Sequence, residues 1–431
     1  MKKAALITLI AFNLIQITGY TQQKLEFNKE YRNIEVTSTS SLVYSVSLEK
    51  NGIYQFSILQ QGIAVYYSLT STEGKMVFEC NYPDDFVGYE KFEYSPASTE
   101  DFSLNIKRFE DPENPGEGKI SIFIKSLNKE EISVRNKIKK ELEPENRKNV
   151  TTIDIDHFWD AYDHLEKCEN YDDSVKIFQN LYLDKATNGL LDFIQARDLT
   201  ADKFVDAVSK NADFYNSIRT NTYFAERAEP VIEEVFEKFK EIYPAFEPFK
   251  VCFAIGINNT GGTVSNQFVL IGTEVTTSMG NNDDVTSDEI IEKIKGIVAH
   301  ECVHTQQPLH PDTNSIHCPL LYQSIKEGAC DFIAELITGR PRSSEYGEMN
   351  ENRLWIEFKN ELCNEDISDW LYNGHRVKDK PSDLGYYIGY EIAKSYYSNS
   401  EDKSVAIDDI IGMTDPISFL QQSKYDQKLK R

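Results

Sequence analysis

The segment His300–His304, which reads His-Glu-Cys-Val-His, constrains the fold of this chain more than any other part of it. In a helix its two imidazoles lie one turn apart on the same face, with the carboxylate of Glu301 between them in sequence. Such a face presents two nitrogens to a Zn²⁺ ion, while the carboxylate reaches a water on the metal. The pattern indicates a metallohydrolase helix, but it arises by chance in roughly one to two of every hundred chains of this length, so its context decides.

The residues before this segment predict a helix that leads into it. Thr286 and Glu289 are spaced as a capping box, and an apolar stripe follows at helical spacing, formed by Ile290, Ile294 and Ile297. Glu301 and His304 continue this stripe, although a buried carboxylate and a buried imidazole need a partner. A bound metal is such a partner. Pro308 closes the helix.

A catalytic zinc ion takes three protein ligands, so the sequence must supply a third. His310 lies ten residues after His300, but Gln307 stands where that spacing requires a glycine to turn the chain back. Glu327 is the other candidate, on a second predicted helix from Leu320 to Ile337.

Asp331 lies one helical turn beyond Glu327, on the same face of this second helix. An aspartate in that place can accept the free ring N–H of a histidine ligand, which fixes the tautomer of the ring and raises its basicity. This geometry favours Glu327 over His310 as the third ligand.

Together, His300-Glu301-x-x-His304 and Glu327-x-x-x-Asp331 resemble the gluzincins, the metallopeptidase clan that includes thermolysin and the M1 aminopeptidases. The residues around both motifs are more narrowly similar to a group of predicted secreted zinc-dependent proteases of unknown substrate from bacteria, over about residues 150–400. The resemblance implies one Zn²⁺ per chain, held by the two histidines and Glu327. It also implies that Glu301 assists the attack of zinc-bound water on a peptide bond.

The resemblance extends to a Gly-Tyr element, residues 385–390. It implies that Tyr386 stabilises the oxyanion as a second electrophile beside zinc, with Tyr390 and His375 as alternatives. The chain has 24 tyrosines, and most tyrosines serve packing, so the element alone does not decide among these residues.

Seven cysteines are present without a Cys-x-x-Cys pair, and an odd number leaves at least one thiol unpaired in an exported chain. Cys302 and Cys330 flank the candidate ligands and could be read as further ligands. Because Cys302 points away from the ligand face and Cys330 lies at its margin, we interpret both as small buried apolar side chains.

The chain carries a formal net charge of −24 at pH 7. A surface of this sign repels phosphate backbones, so nucleic acid is not expected as a partner. The expected partner is a peptide or protein substrate.

Residues 1–20 have the layout of a secretory signal peptide. Lys2 and Lys3 precede an apolar run from Ala4 to Ile17, and the small residue Gly19 follows. The run is too short to span a bilayer, and no later segment is a membrane-span candidate. The sequence therefore predicts a secreted or periplasmic protein without stable membrane insertion after signal cleavage.

Residues 22–128 predict a β-sandwich, because short alternating segments are separated by turn signals such as Asn51-Gly52. The segment resembles the small pre-peptidase sandwiches that accompany secreted bacterial proteases. Residues 129–150 are predicted to form a charged linker. Residues 151–431 are the predicted zinc metallopeptidase domain, which is expected to be mainly helical with a small sheet. The predicted fold class is α+β.

The apolar run Phe268–Ile271 predicts a strand just before the zinc helix. In gluzincins an edge strand at this place pairs with the substrate backbone, so this run is the candidate cleft wall; the pattern fits a plain buried strand equally well. Two other functions stay open: a zinc hydrolase acting on a non-peptide substrate, and a catalytically silent metal-binding or adhesion protein. The presence of Glu301 argues against the silent protein.

Overall fold

The computed structural model describes residues 23–80, 86–110, 114–278, 286–308, 318–341, 344–374 and 380–428. The chain divides between Lys137 and Ile138 into two compact units. The division falls within α1 (Lys129–Arg147), in the segment predicted as the linker. The predicted signal peptide, His310 and His375 lie outside the described residues.

The first unit is a sandwich of two sheets. Its strands are β1 (Gln23–Lys24), β2 (Glu30–Thr37), β3 (Ser41–Leu48), β4 (Tyr54–Gln61), β5 (Val65–Ser71), β6 (Met76–Cys80), β7 (Val87–Tyr94), β8 (Glu100–Arg108) and β9 (Glu117–Ser126). One sheet has the order β1-β3-β8-β5-β6, and the other has the order β2-β9-β4-β7. Neighbouring strands are antiparallel except β1 and β3, which are parallel.

Alternating side chains build the core of this sandwich. In β4, Tyr54, Phe56 and Ile58 are buried, and the residues between them are only partly so. Phe56 stacks on Phe92 of the neighbouring strand, with ring centroids 4.3 Å apart. β4 is followed by a turn at Gly62, whose φ of 80° suits a residue without a Cβ. The predicted β-sandwich is therefore confirmed.

The second unit is mainly helical. Its helices are α2 (Ile153–His164), α3 (Tyr171–Leu181), α4 (Asn188–Ala196), α5 (Ala201–Lys210), α6 (Ala212–Thr222), α7 (Glu229–Ile242), α8 (Thr273–Thr276), α9 (Ser287–His304), α10 (Pro319–Thr338), α11 (Glu345–Lys359), α12 (Leu384–Asn399), α13 (Lys403–Ile411), α14 (Pro416–Ser423) and α15 (Tyr425–Lys428). They pack with a four-stranded sheet of order β10-β11-β13-β12, formed by β10 (Val150–Thr151), β11 (Lys250–Ala254), β12 (Gly262–Val264) and β13 (Phe268–Gly272). The α+β class is confirmed.

β13 lies inside this sheet and not at its edge. It pairs in parallel with β11 and antiparallel with β12, and all five of its residues are buried. The prediction that Phe268–Ile271 is the edge strand is therefore wrong, because an apolar run looks the same in sequence at an edge and in an interior. The edge strand beside β13 is β12, whose three residues are too few to show a pattern, and β10 forms the opposite edge.

α10 and α12 cross at two glycines, which lets their backbones approach closely. A Cβ on Gly328 would lie 2.0 Å from the backbone nitrogen of Tyr390, and a Cβ on Gly389 would lie 1.6 Å from the carbonyl oxygen of Ser324. No larger residue fits at either position without moving a helix. This crossing sets the distance between the face of α10 that bears Glu327 and the first turns of α12.

A disulfide joins Cys318, directly before α10, to Cys363, shortly after α11. The other five cysteines are thiols. Among the described residues, no helix is long and apolar enough to cross a membrane.

Candidate metal centre

α9 forms as the sequence predicts. The Thr286 side chain accepts a hydrogen bond from the backbone of Glu289, and the Glu289 side chain accepts one from the backbone of Thr286, which completes the capping box. Ile290 and Ile294 are fully buried and fix the orientation of the helix. As a result, the last turns of α9 point toward α10.

The three predicted zinc ligands lie together between these two helices. Nε2 of His300 is 3.5 Å from Oε2 of Glu327, and Nε2 of His304 is 3.2 Å from the same oxygen. The side chains of His300, His304 and Glu327 are 9%, 13% and 9% exposed. One carboxylate oxygen and two imidazole nitrogens thus converge at a largely buried site.

The other ring nitrogen of each histidine is already engaged. Nδ1 of His300 lies 2.8 Å from Oδ1 of Asp331, and Nδ1 of His304 lies 2.8 Å from Oε1 of Gln307. Both partners accept, since Gln307 uses its amide nitrogen to donate to the carbonyl of Lys326 at 2.9 Å. The proton of each neutral ring is therefore on Nδ1, and the lone pair is on Nε2, facing Glu327.

This donor set fits zinc. Two imidazole nitrogens and one carboxylate oxygen form the ligand set of His₂Glu zinc sites, and ligand histidines generally donate their second N–H to a protein acceptor. Asp331 occupies the place that the sequence predicts for such an acceptor. The sequence does not predict Gln307 as the second acceptor, because no motif singles it out for that role.

The charges of these groups shift one another's pKa. Burial alone would lower the pKa of His300, but the carboxylates of Asp331 and Glu327 raise it to about 10. Burial alone would raise the pKa of Glu327, but His304 and His300 hold it well below its ordinary value. The cluster formed by His300, His304, Glu327 and Asp331 therefore favours a positive charge between the two imidazole rings and Glu327. A divalent cation supplies such a charge.

Glu301 is buried beside the edge strand. A Cβ on Gly262, the first residue of β12, would lie 2.5 Å from Oε1 of Glu301, so the backbone of the edge strand passes directly over this carboxylate. Burial raises the pKa of Glu301 above its ordinary value. The positive charges of the two histidines and of Arg197 oppose this rise without cancelling it. Arg197 follows α4 and donates from Nη2 to Oγ1 of Thr260 at 3.2 Å, in the loop that leads to β12.

Two tyrosines border the cluster. The ring of Tyr386, the predicted electrophile, lies 6.3 Å from the ring of His300, centroid to centroid. Tyr372 donates its hydroxyl to Oε1 of Glu327 at 2.6 Å. Sequence reasoning missed Tyr372, since no motif singles it out. Tyr390 is not brought to the cluster, because its hydroxyl bonds to Glu335.

The sulfur of Cys330 is a further candidate ligand atom. One ligand atom each from His300, His304 and Cys330 lies within 4.8 Å of the others. However, Sγ of Cys330 approaches Nδ1 of His304, at 3.4 Å, on the side where Gln307 binds. Glu327 lies on the Nε2 side of both rings. Cys302 is 1% exposed, within the apolar core.

Residues 272–409 match a family described as "Predicted Zn-dependent protease (DUF2268)". The matched range includes α9, α10 and α12, which carry the cluster. Together with the histidine and cysteine group between α9 and α10, this match supports a zinc-dependent protease in general terms.

Among solved structures, the chain is similar to the pre-peptidase C-terminal domain of a collagenase from Bacillus anthracis. The two share 12% identity with a TM-score of 0.20, over 24% of this chain and 94% of that chain. A likeness of this size carries no argument about function. No curated protein matches the chain.

Proposed function

We propose that this protein is a secreted zinc metallopeptidase in which His300, His304 and Glu327 hold one Zn²⁺ and Glu301 is the general base. The convergence of two Nε2 atoms on one buried carboxylate oxygen carries the proposal, because both Nδ1 atoms already have acceptors. The family match on residues 272–409 supports the same class.

Zinc, when bound, supplies Lewis acidity that polarises a carbonyl and lowers the pKa of a water toward neutrality. Glu301 lies on the same helix face as the histidines and is shielded from bulk water by β12. Its carboxylate accepts the proton of the attacking water and then delivers it to the leaving amine. Asp331 and Gln307 hold the two imidazoles in the tautomer that binds metal.

The edge strand is the proposed substrate wall. β12 bonds to β13 on one side and ends the sheet on the other, so its outer edge faces away from the sheet. An extended peptide can add to such an edge as a further strand, which places its carbonyl groups beside Glu301. Tyr386 is the proposed donor to the oxyanion, supported by its place against the ring of His300.

We also propose export and a class of partner, on the basis of the sequence. The layout of residues 1–20 supports secretion or delivery to the periplasm, with no stable membrane insertion afterwards. The proposed partner is a peptide or protein substrate. A net charge of −24 disfavours nucleic acid.

The test compares purified protein with its Glu301→Gln variant. Wild type should contain one zinc by elemental analysis and should cleave members of a broad peptide library. Glu301→Gln should keep the zinc, and its turnover should fall by a factor on the order of 10² to 10⁴. Glu292→Gln is the matched control on the same helix, where the carboxylate pairs with Arg340 instead.

Three outcomes would contradict the proposal. Absence of metal from wild-type protein purified without chelator would show that the zinc site is wrong. Undiminished turnover in Glu301→Gln would remove Glu301 from the mechanism. Stoichiometric zinc without cleavage of any peptide would favour a hydrolase acting on a different substrate.

A further inference from the structure

The two oxygens of Glu327 have different environments. Oε2 faces Nε2 of both His300 and His304, whereas Oε1 accepts the hydrogen bond from the Tyr372 hydroxyl at 2.6 Å. The hydrogen bond from Tyr372 occupies one lone pair of Oε1, and Oε2 is the oxygen that faces both imidazole rings. The hydrogen bond from Tyr372 therefore makes the two oxygens of Glu327 inequivalent even without a bound metal.

The conformation of Tyr372 is unusual for its residue type. Its φ is 56°, in the left-handed region, which costs a residue with a Cβ about 1 kcal/mol or more. Tyr372 as a residue is 60% exposed, although its hydroxyl reaches the carboxylate of Glu327, a residue that is only 7% exposed. Burial in the core does not explain why a tyrosine stands here, because most of the residue's surface is exposed.

The flanking residues hold this conformation in place. Leu371 and Asn373 are 1% and 2% exposed. The backbone nitrogen of Asn373 donates to Oδ1 of Asp383 at 3.0 Å, and the backbone nitrogen of Asp383 donates to Oδ1 of Asn373 at 2.8 Å. Asp383 directly precedes α12, so the backbone of Tyr372 is fixed to the start of the helix that bears Tyr386.

Tyr372 also contacts Tyr386. The two rings meet edge to face with centroids 6.2 Å apart. Tyr386 in turn lies against the ring of His300. Tyr372 thus connects Glu327 with the tyrosine proposed to stabilise the oxyanion.

We propose that Tyr372 is a positioning residue of the metal centre: its hydroxyl holds Glu327 as a one-oxygen ligand, and its ring aligns Tyr386. The inference rests on the proposed function, because it needs Glu327 to be a metal ligand. It assigns to Tyr372 no contact with substrate. Tyr372 acts through these two residues, by its hydroxyl on Glu327 and by its ring on Tyr386.

The test replaces Tyr372 by Phe, which keeps the ring and removes only the hydroxyl. Zinc affinity is measured by competition with a chromophoric chelator, and the visible absorption of the Co²⁺-loaded protein reports ligand geometry. Tyr372→Phe should bind zinc about 10- to 100-fold more weakly than wild type, as expected when the group that orients a ligand is removed. Its Co²⁺ absorption should shift as well, because Glu327 is free to bind through both oxygens.

Two further variants make the test specific. Tyr386→Phe should keep wild-type zinc affinity and lose only kcat. Tyr387→Phe is the matched control, since this tyrosine of the same helix packs on Gly347 and not on the cluster; it should leave zinc affinity and the Co²⁺ absorption unchanged. Circular dichroism of each variant checks that it has folded.

The outcomes separate this inference from the proposed function. If wild type binds zinc and Tyr372→Phe binds it equally tightly with the same Co²⁺ absorption, the positioning role is overturned while the zinc site stands. Unchanged affinity with a lower kcat and an unchanged KM would also overturn it, because the hydroxyl would then act on the reacting atoms. Failure of wild type itself to bind zinc would instead contradict the proposed function.

Discussion

Nδ1 of His300 lies 2.8 Å from Oδ1 of Asp331, and both residues are 7% exposed. Asp331 stands one helical turn after Glu327 on α10. One face of this helix therefore carries a proposed metal ligand together with the acceptor that orients another. The contact keeps the imidazole proton on Nδ1 and leaves Nε2 for the metal.

Asp331→Asn should weaken zinc binding by about 10- to 100-fold, because the ring of His300 loses a charged acceptor that fixes its tautomer and raises its basicity. Competition with a chelator measures the change, and excess zinc should restore activity. Asp288→Asn, in the exposed first turn of α9, is the control and should bind zinc like wild type. Equal affinities in Asp331→Asn and wild type would show that the contact does not support the metal.

The identity of the third ligand is tested by comparing Glu327→Ala with Cys330→Ser and His310→Ala. Glu327→Ala should lose zinc on dialysis, because only two protein ligands remain. The other two variants should keep one zinc per chain by elemental analysis. Zinc lost from Cys330→Ser but kept by Glu327→Ala would instead identify His300, His304 and Cys330 as the site.

Much of this cluster could be predicted from local patterns. The capping box and the isoleucine stripe fix where α9 begins and which face is buried, and helical spacing then places Glu301 with the histidines. The spacing of Glu327 and Asp331 likewise follows from one turn of a helix. These predictions needed only the periodicity of single elements.

The parts that failed depend on contacts between distant segments. Tyr372 reaches Glu327 across 45 residues and through a left-handed backbone that no motif encodes. The edge position of β12 depends on the order of strands in the sheet, which a three-residue segment does not reveal. The role of Gln307 depends on the side-chain rotamer that brings it to His304.

Gly262→Ala tests the edge strand as the wall beside the base. The added methyl would lie 2.5 Å from Oε1 of Glu301, so either the carboxylate or β12 must move. Because displacement of a catalytic group by about 1 Å costs on the order of 10²-fold, kcat/KM should fall by about that factor with zinc retained. Gly296→Ala on α9 is the control, since a Cβ there has nothing within 4 Å. Wild-type kinetics in Gly262→Ala would place the base elsewhere.

Glu274 should make the stability of the second unit depend on pH. It is fully buried in α8, and its carboxylate accepts hydrogen bonds from the backbone nitrogens of Gly256 and Asn258, at 2.9 and 3.0 Å, in the segment between β11 and β12. Burial nevertheless outweighs these bonds and raises the pKa of Glu274 from 4.5 to about 7. The folded protein therefore binds this proton more tightly than the unfolded chain.

Since the folded state holds the proton over this interval, the free energy of unfolding should fall as pH rises from about 4.5 to about 7, by roughly 3 kcal/mol from this group alone. Glu274→Gln has no such proton to lose, so the stability of wild type relative to this variant should decrease over the same interval. Urea unfolding at pH 5 and pH 8 measures the difference, with Glu292→Gln as a control in which the carboxylate pairs with Arg340. A difference that stays constant between the two pH values would mean that Glu274 is ionised in the folded protein throughout.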